Sequence, residues 1–178
     1  MCQDLRKVIV IDTETTGLHR KDEILQLSII NGLGETLLNE YYKPCHKRFW
    51  KRAMAVNGIT PASTKDKEPI RNSFVKIANI LAKAEVIVGY NIPFDLKMLK
   101  HNGVKVPKEL KIHDVMTAFM KIKNVRKENG NLKRFKLSEC AEHYGFKVDP
   151  NQKLHNSLID VKATLHCYLS IEPKLFLN

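Results

Sequence analysis

The chain has 178 residues, 43% hydrophobic and 28% charged, a length that fits one domain with a substantial core and a composition that excludes general disorder. Lysine and arginine total 30 against 19 acidic residues, a net charge of +11, so a polyanionic partner is expected, either nucleic acid or an anionic membrane surface. No apolar run approaches the roughly 18 residues of a membrane span. The first strand opens at Val8 with no room for a signal peptide before it, so a soluble, cytoplasmic chain is expected. Cys2, Cys45, Cys140 and Cys167 form no Cys-x-x-Cys pair and, with His46, His143 and His166, match no common zinc spacing, so they read as reduced structural thiols.

Val8-Ile9-Val10-Ile11 has no polar alternation and reads as a strand buried on both faces, in the middle of a mostly parallel sheet. It runs into Asp12-Thr13-Glu14-Thr15-Thr16-Gly17. Ile24 to Ile30 is a second apolar run, and the turn Asn31-Gly32-Leu33-Gly34 leads to a third strand, Thr36 to Tyr42, so the first three strands predict an antiparallel meander. Pro44 to Thr64 reads as irregular. Ile70, Phe74, Ile77 and Leu81 recur at helical spacing and predict a helix over 68–83. A short buried strand follows at Glu85 to Gly89. Asn91-Ile92-Pro93-Phe94-Asp95 opens a helix that Asn102-Gly103 closes. Lys111 to Asp114 reads as a strand end, Val115 to Met120 as a helix, and Leu137 to Tyr144 as a short helix. The last helix is expected over 158–169, with Leu158, Val161, Leu165 and Tyr168 on one face. Strands alternating with helices after an initial meander predict one α/β domain, residues 1–178, with a mixed five-stranded sheet and flanking helices.

The acids carry the chemistry. Successive strand side chains alternate faces, so Asp12 and Glu14 share one. Two carboxylates at the end of a core strand are costly without a cation between them, and a divalent metal is the candidate. Asp95 stands in a first helical turn, where the helix dipole alone can account for it, yet it lies beside the apolar stripe of Leu96 and Leu99. Asp160 fits a capping box with Ser157 at the N-cap, an equally ordinary role. His155 precedes Asp160 by five residues, about 140° around an ideal helix, so it is expected on the loop before the helix.

Together, Asp12-Thr13-Glu14-Thr15-Thr16-Gly17, Asn91-Ile92-Pro93-Phe94-Asp95 and His155-Asn156-Ser157-Leu158-Ile159-Asp160 resemble the three motifs of the DEDDh 3′–5′ exonucleases. This superfamily includes the proofreading epsilon subunit of bacterial DNA polymerase III and its stand-alone relatives. The resemblance spans nearly the whole chain, with Asn57-Gly58-Ile59-Thr60 where the family often has His-Gly-Ile-Thr. It implies a ribonuclease-H-like fold and hydrolysis of single-stranded nucleic acid, DNA favoured, from the 3′ end to nucleoside 5′-monophosphates. Asp12, Glu14, Asp95 and Asp160 would be the ligands of two Mg²⁺ or Mn²⁺ ions about 4 Å apart, and His155 the general base. By the same resemblance Thr15 and Leu18 would contact the terminal nucleotide, Ala53 and Val56 would line its base pocket, and Asn91 and Phe94 would support it. Tyr90 and Asn57 stand where many members have histidine, which puts substrate contacts in doubt and leaves the metal ligands intact.

The basic segment Lys121 to Lys136, with Glu128 as its only acid, is either a solvated loop or a surface that tracks phosphates. An aspartyl-phosphate phosphotransferase would use Asp12 but leave Asp95, His155 and Asp160 without a role. An RNA 3′-end-processing exoribonuclease and a non-catalytic nucleic-acid-binding polymerase accessory stay open as alternatives. The partners expected are single-stranded DNA or RNA 3′ ends; because the chain ends at Asn178 without a long tail, it is expected to be either a stand-alone enzyme or one that binds a polymerase partner through the domain itself. Lys174-Leu175-Phe176-Leu177 reads as a docked apolar terminus in preference to a sliding-clamp peptide.

Overall fold

The computed structural model describes residues 3–147 and 156–172. Strands β1 (Val8–Thr15), β2 (Ile24–Asn31), β3 (Thr36–Tyr41), β4 (Val86–Gly89) and β5 (Lys111–Asp114) form one sheet in the order β3-β2-β1-β4-β5. The run Val8 to Ile11 is fully buried in its centre. The sheet is evenly mixed and not mostly parallel: β1–β2 and β2–β3 are antiparallel, β1–β4 and β4–β5 parallel. The turn at Asn31 to Gly34 explains this, because a few residues can join only antiparallel neighbours. Asn31 Oδ1 accepts the N–H groups of Leu33 and Glu35 and fixes that turn.

Among the described residues the helices are α1 (Lys51–Asn57), α2 (Pro61–Thr64), α3 (Phe74–Lys83), α4 (Ile92–His101), α5 (Val115–Lys123), α6 (Leu137–His143) and α7 (Ser157–Ile171). The alternation of β1 sends its side chains into two separate cores. Ile9 and Ile11 pack with Ile77 and Leu81 of α3 and Ile92, Met98 and Leu99 of α4. Val8 and Val10 pack on the other face with Phe119 of α5, Cys140 of α6 and Val161 and Tyr168 of α7. Continuing the two rows past the apolar run sends Asp12 and Glu14 towards the α7 face and Thr13 towards the α4 face.

Three expectations need correction. The segment 44–64 is not irregular: it holds α1 and α2, too short for a hydrophobic period to show. Trp50 anchors them, packing with Leu25 and Ile59 and donating its indole N–H to Ile59 O at 2.7 Å. The helix predicted over 68–83 starts as a 3₁₀ turn at Ile70–Ser73 and becomes α-helical only at Phe74. Asp160 is not part of a capping box. Asn156 is the N-cap, its side chain accepting from Leu158 N–H at 3.1 Å, while Ser157 is buried against Ser28 with the two hydroxyls 2.6 Å apart. Cys140 and Cys167 are buried free thiols, Cys45 an exposed one. No helix among the described residues is long and apolar enough to cross a membrane.

Candidate active site

The site forms where β1 outruns its pairing. A register shift between Glu14 and Thr15 ends the regular ladder with β2, a local irregularity that re-aims the side chains around it. Asp12 and Glu14 come from β1, and Asp160, one turn into α7, meets them from above the same face. One carboxylate oxygen from each of the three lies within 4.8 Å of the others. Asp95 arrives from the opposite side of the sheet. It is 3% exposed and held by Thr13, whose N–H and hydroxyl donate to its Oδ1 at 3.0 and 2.7 Å. Thr13 thus couples the two faces: its backbone belongs to the Asp12–Glu14 strand, and its side chain grips the acid of α4.

Burial first, then Asp95, Asp160 and Glu14, pushes the Asp12 carboxyl well above the usual range. Burial and Asp160 raise Glu14 to about 8, against a hydrogen bond from Asn57 that pulls it down. Asp95 is raised to about 7, again by burial, with the Thr13 hydrogen bonds opposing. Carboxylates forced together in this way stay protonated unless a cation compensates them. The donor set is all oxygen, the preference of Mg²⁺ and Mn²⁺, so the residues fit the divalent ions expected. Nearby, Asp22 shows the contrasting case. Burial raises it, but Lys47 (2.8 Å), His19 N–H and the Thr16 hydroxyl hold it below the ordinary range.

Beside the acids lies a cleft of about 600 Å³ whose lining includes Glu14, Thr15, Leu18, Trp50, Ala53, Val56 and Phe94. Leu18 and Val56 are 71% and 60% exposed, apolar side chains left open on a wall where a flat ring could lie. Lys47, Lys51 and Arg52 stand on the same wall.

The RNase_T family model, described as exonuclease, matches residues 9–168. The chain belongs to the RNase_T exonuclease family. Its class is that of a 3′–5′ exonuclease acting on nucleic acid. It is similar to the uncharacterized exonuclease CP81 of Escherichia phage 186, 28% identical with 88% of this chain and 84% of that one covered. The DNA polymerase III subunit epsilon of Aquifex aeolicus is 23% identical, covering 94% and 81%. RNA exonuclease 4 of Saccharomyces cerevisiae is 27% identical, over 93% of this chain and 55% of its own length. Among solved structures, exonuclease X in complex with 5′-overhanging duplex DNA shares the fold, with a TM-score of 0.72 at 20% identity over 94% of this chain and 92% of that one.

Within this exonuclease the structure brings Asp12, Glu14 and Asp160 together with Asp95 hydrogen-bonded beside them, and five of the six expected substrate residues line the cleft. Asn91 does not line it. Its backbone adopts a left-handed conformation (φ 62°), and its N–H donates to Asp114 Oδ1 at 2.8 Å, starting α4. His155 lies outside the described residues, as do Cys2 and the terminal segment Lys174 to Leu177. The two departures from the family pattern gain physical roles. Asn57 donates to Thr15 O at 3.3 Å and accepts from Ile59 N–H at 3.1 Å, tying α1 to the end of β1. The Tyr90 hydroxyl donates to Phe135 O and Lys136 O at 2.9 and 3.0 Å and pins the end of the basic segment to the start of α4.

Sequence reasoning missed the cationic wall. Its signal was present as Lys47-Arg48-Phe49-Trp50-Lys51-Arg52, a basic run interleaved with aromatics of the kind that tracks single strands. What places it is remote. The Glu23 carboxylate accepts the N–H groups of Cys45, His46 and Lys47 at 2.6–3.2 Å and ties that loop to the start of β2.

Proposed function

We propose that the chain removes nucleotides one at a time from the 3′ end of single-stranded nucleic acid, DNA in preference, as nucleoside 5′-monophosphates. The observation that supports this most directly is the Asp12–Glu14–Asp160 cluster, three carboxylates within 4.8 Å of one another, of which Glu14 also lines the cleft. Asp12, Glu14, Asp95 and Asp160 would hold two Mg²⁺ or Mn²⁺ ions, which supply Lewis acidity and neutralise charge on the phosphate. The chain's own groups do the rest. Leu18, Ala53 and Val56 accept the terminal base, while Lys47, Lys51 and Arg52 draw in the strand. Thr13 fixes Asp95, and Asn57 orients the segment that carries Thr15. His155, as general base, takes a proton from the attacking water. The water oxygen bonds to phosphorus, the bond to the 3′-oxygen breaks, and that oxygen leaves as a hydroxyl after taking a proton from bulk water.

The preference for DNA draws on the likeness to the epsilon subunit. The likeness to an RNA exonuclease sustains the second reading, RNA 3′-end processing. The basic segment 121–136 serves either substrate, because phosphate contacts carry no base identity. A polymerase partner and a cytoplasmic location go with the epsilon-like reading. Incubating a 5′-labelled strand with Mg²⁺ or Mn²⁺ tests the activity. A ladder of shortened 5′-labelled products is expected, abolished in Asp12→Ala and in His155→Ala. Absence of a ladder, or equal laddering by Asp12→Ala, would overturn the reading. Matched DNA and RNA strands competing in the same tube decide the substrate.

A further inference from the structure

We infer that a second cavity, outside the catalytic cleft, binds the phosphate backbone of the same nucleic-acid strand. This rests on the exonuclease reading of the cleft and extends it. The cavity holds about 460 Å³ between the β1–β2 connection, the loop after β3, the 3₁₀ turn at Ile70 and the end of α4. Arg20, Lys21, Lys43 and Arg71 line it, with His46 and His101. Among the described residues none of these four cations forms an ion pair; the two acids that line the cavity are used elsewhere. Asp22 is committed to Lys47, Thr16 and His19, and Glu23 to the three backbone N–H groups of residues 45–47. The wall therefore contains two carboxylates and still presents uncompensated positive charge.

The cavity is also held rigidly. Asn102 accepts from Ile24 N–H at 3.1 Å and donates to Asp22 O at 3.2 Å and Met98 O at 2.9 Å, stapling the end of α4 to the start of β2. His101, which lines the cavity, keeps its Nδ1 buried and without a hydrogen-bond partner among the described residues. Burial first, and then the nearby charges of Lys97, Arg20 and Lys100, disfavour the charged form of His101.

Its composition separates it from the cleft. No tryptophan, tyrosine or phenylalanine lines the cavity, whereas Trp50 and Phe94 line the cleft. A site whose lining is dominated by cations reads phosphates, and phosphate contacts carry no base identity. The two share Asp22 as a common wall, and the loop 43–47 contributes Lys43, Cys45 and His46 to one and Lys47 to the other. A strand whose 3′ nucleotide fills the cleft can therefore lay more distant phosphates across Lys47 into the second cavity.

Fluorescence anisotropy in EDTA, where nothing is cut, tests the site independently of turnover, so a chain that binds but does not cleave still gives an answer. A single strand of about 20 nucleotides should lose about tenfold in affinity in Arg20→Gln/Arg71→Gln, with the log–log salt slope smaller by about 1.4. A trinucleotide should lose much less. Lys21→Gln/Lys43→Gln should repeat the pattern, and the charge-matched Lys83→Gln/Lys111→Gln should keep both affinity and slope; melting temperatures check that all remain folded. Unchanged affinity and slope in both cavity variants would overturn the assignment, as would a loss equal to that of the charge-matched pair. An equal loss for the trinucleotide would mean a disturbed cleft and would overturn it too. A site for free anions is the remaining contrary outcome, seen if inorganic phosphate raises the melting temperature of wild type alone while strand affinity stays equal.

Discussion

At the scale of single residues, the fold brings the site acids together against their own repulsion. In the unfolded chain Glu14 and Asp95 titrate near 4.5 and 3.8, and the fold raises them to about 8 and about 7. The native metal-free chain thus holds protons that the unfolded chain has released. Its stability contribution from these groups is whole below about pH 4 and is lost as pH rises towards about 8. The melting temperature of metal-free protein should fall between about pH 5 and about pH 9, and Mg²⁺ or Mn²⁺ should restore most of it at the alkaline end. A rise with pH in the absence of metal would contradict this. Asp12→Asn should raise the metal-free melting temperature at alkaline pH, since it removes a repelled charge, while lowering turnover by roughly a hundredfold or more. The pairing of Asp12 with Glu14 was legible because a strand alternates with period two and the apolar run fixes which residues are strand. The capping role open to Asp160 in the sequence failed because Ser157 has a tertiary partner, Ser28, and no local pattern announces a partner 129 residues away.

At the scale of elements, the approach of α4 to β1 decides where Asp95 stands. A Cβ on Gly89 would lie 2.7 Å from Ile92 Cδ1 and 3.3 Å from Ile11 O, so Gly89 lets the first turn of α4 sit close to the central strand. Gly89→Ala should cost about 1–3 kcal/mol through overpacking and should weaken turnover by shifting Asp95. Urea melts and steady-state assays would show whether the two losses come together. Trp50→Ala empties the small core under α1 and should cost about 3–5 kcal/mol, read by the same melts, with the cleft wall lost along with it. The long elements were readable from their apolar spacing: the meander and the strand ending at Gly89 stand where the sequence puts them, and the helix carrying Ile77 and Leu81 does so from Phe74 onward. The short helices α1 and α2 were not, because seven and four residues give no period. Their order comes from Trp50 and the capping box of Thr60 and Ser63.

At the scale of the whole molecule, a chain of net charge +11 gathers its site acids at one end of β1 and carries uncompensated cations around them. Legibility follows the same division. Composition announced a polyanionic partner, and three spaced motifs announced the family, but the places where the cations collect depend on Glu23, Asn102 and Tyr90 holding loops through long-range hydrogen bonds. The central claim is that the four acids exist to bind divalent cations for phosphodiester hydrolysis. Calorimetric titration of Mn²⁺ into the metal-free chain, with a nucleoside 5′-monophosphate present, tests it most directly. Saturable binding of two ions by the wild type and its loss in Asp12→Asn is the predicted result; no saturable binding, or the same isotherm for both proteins, would contradict it.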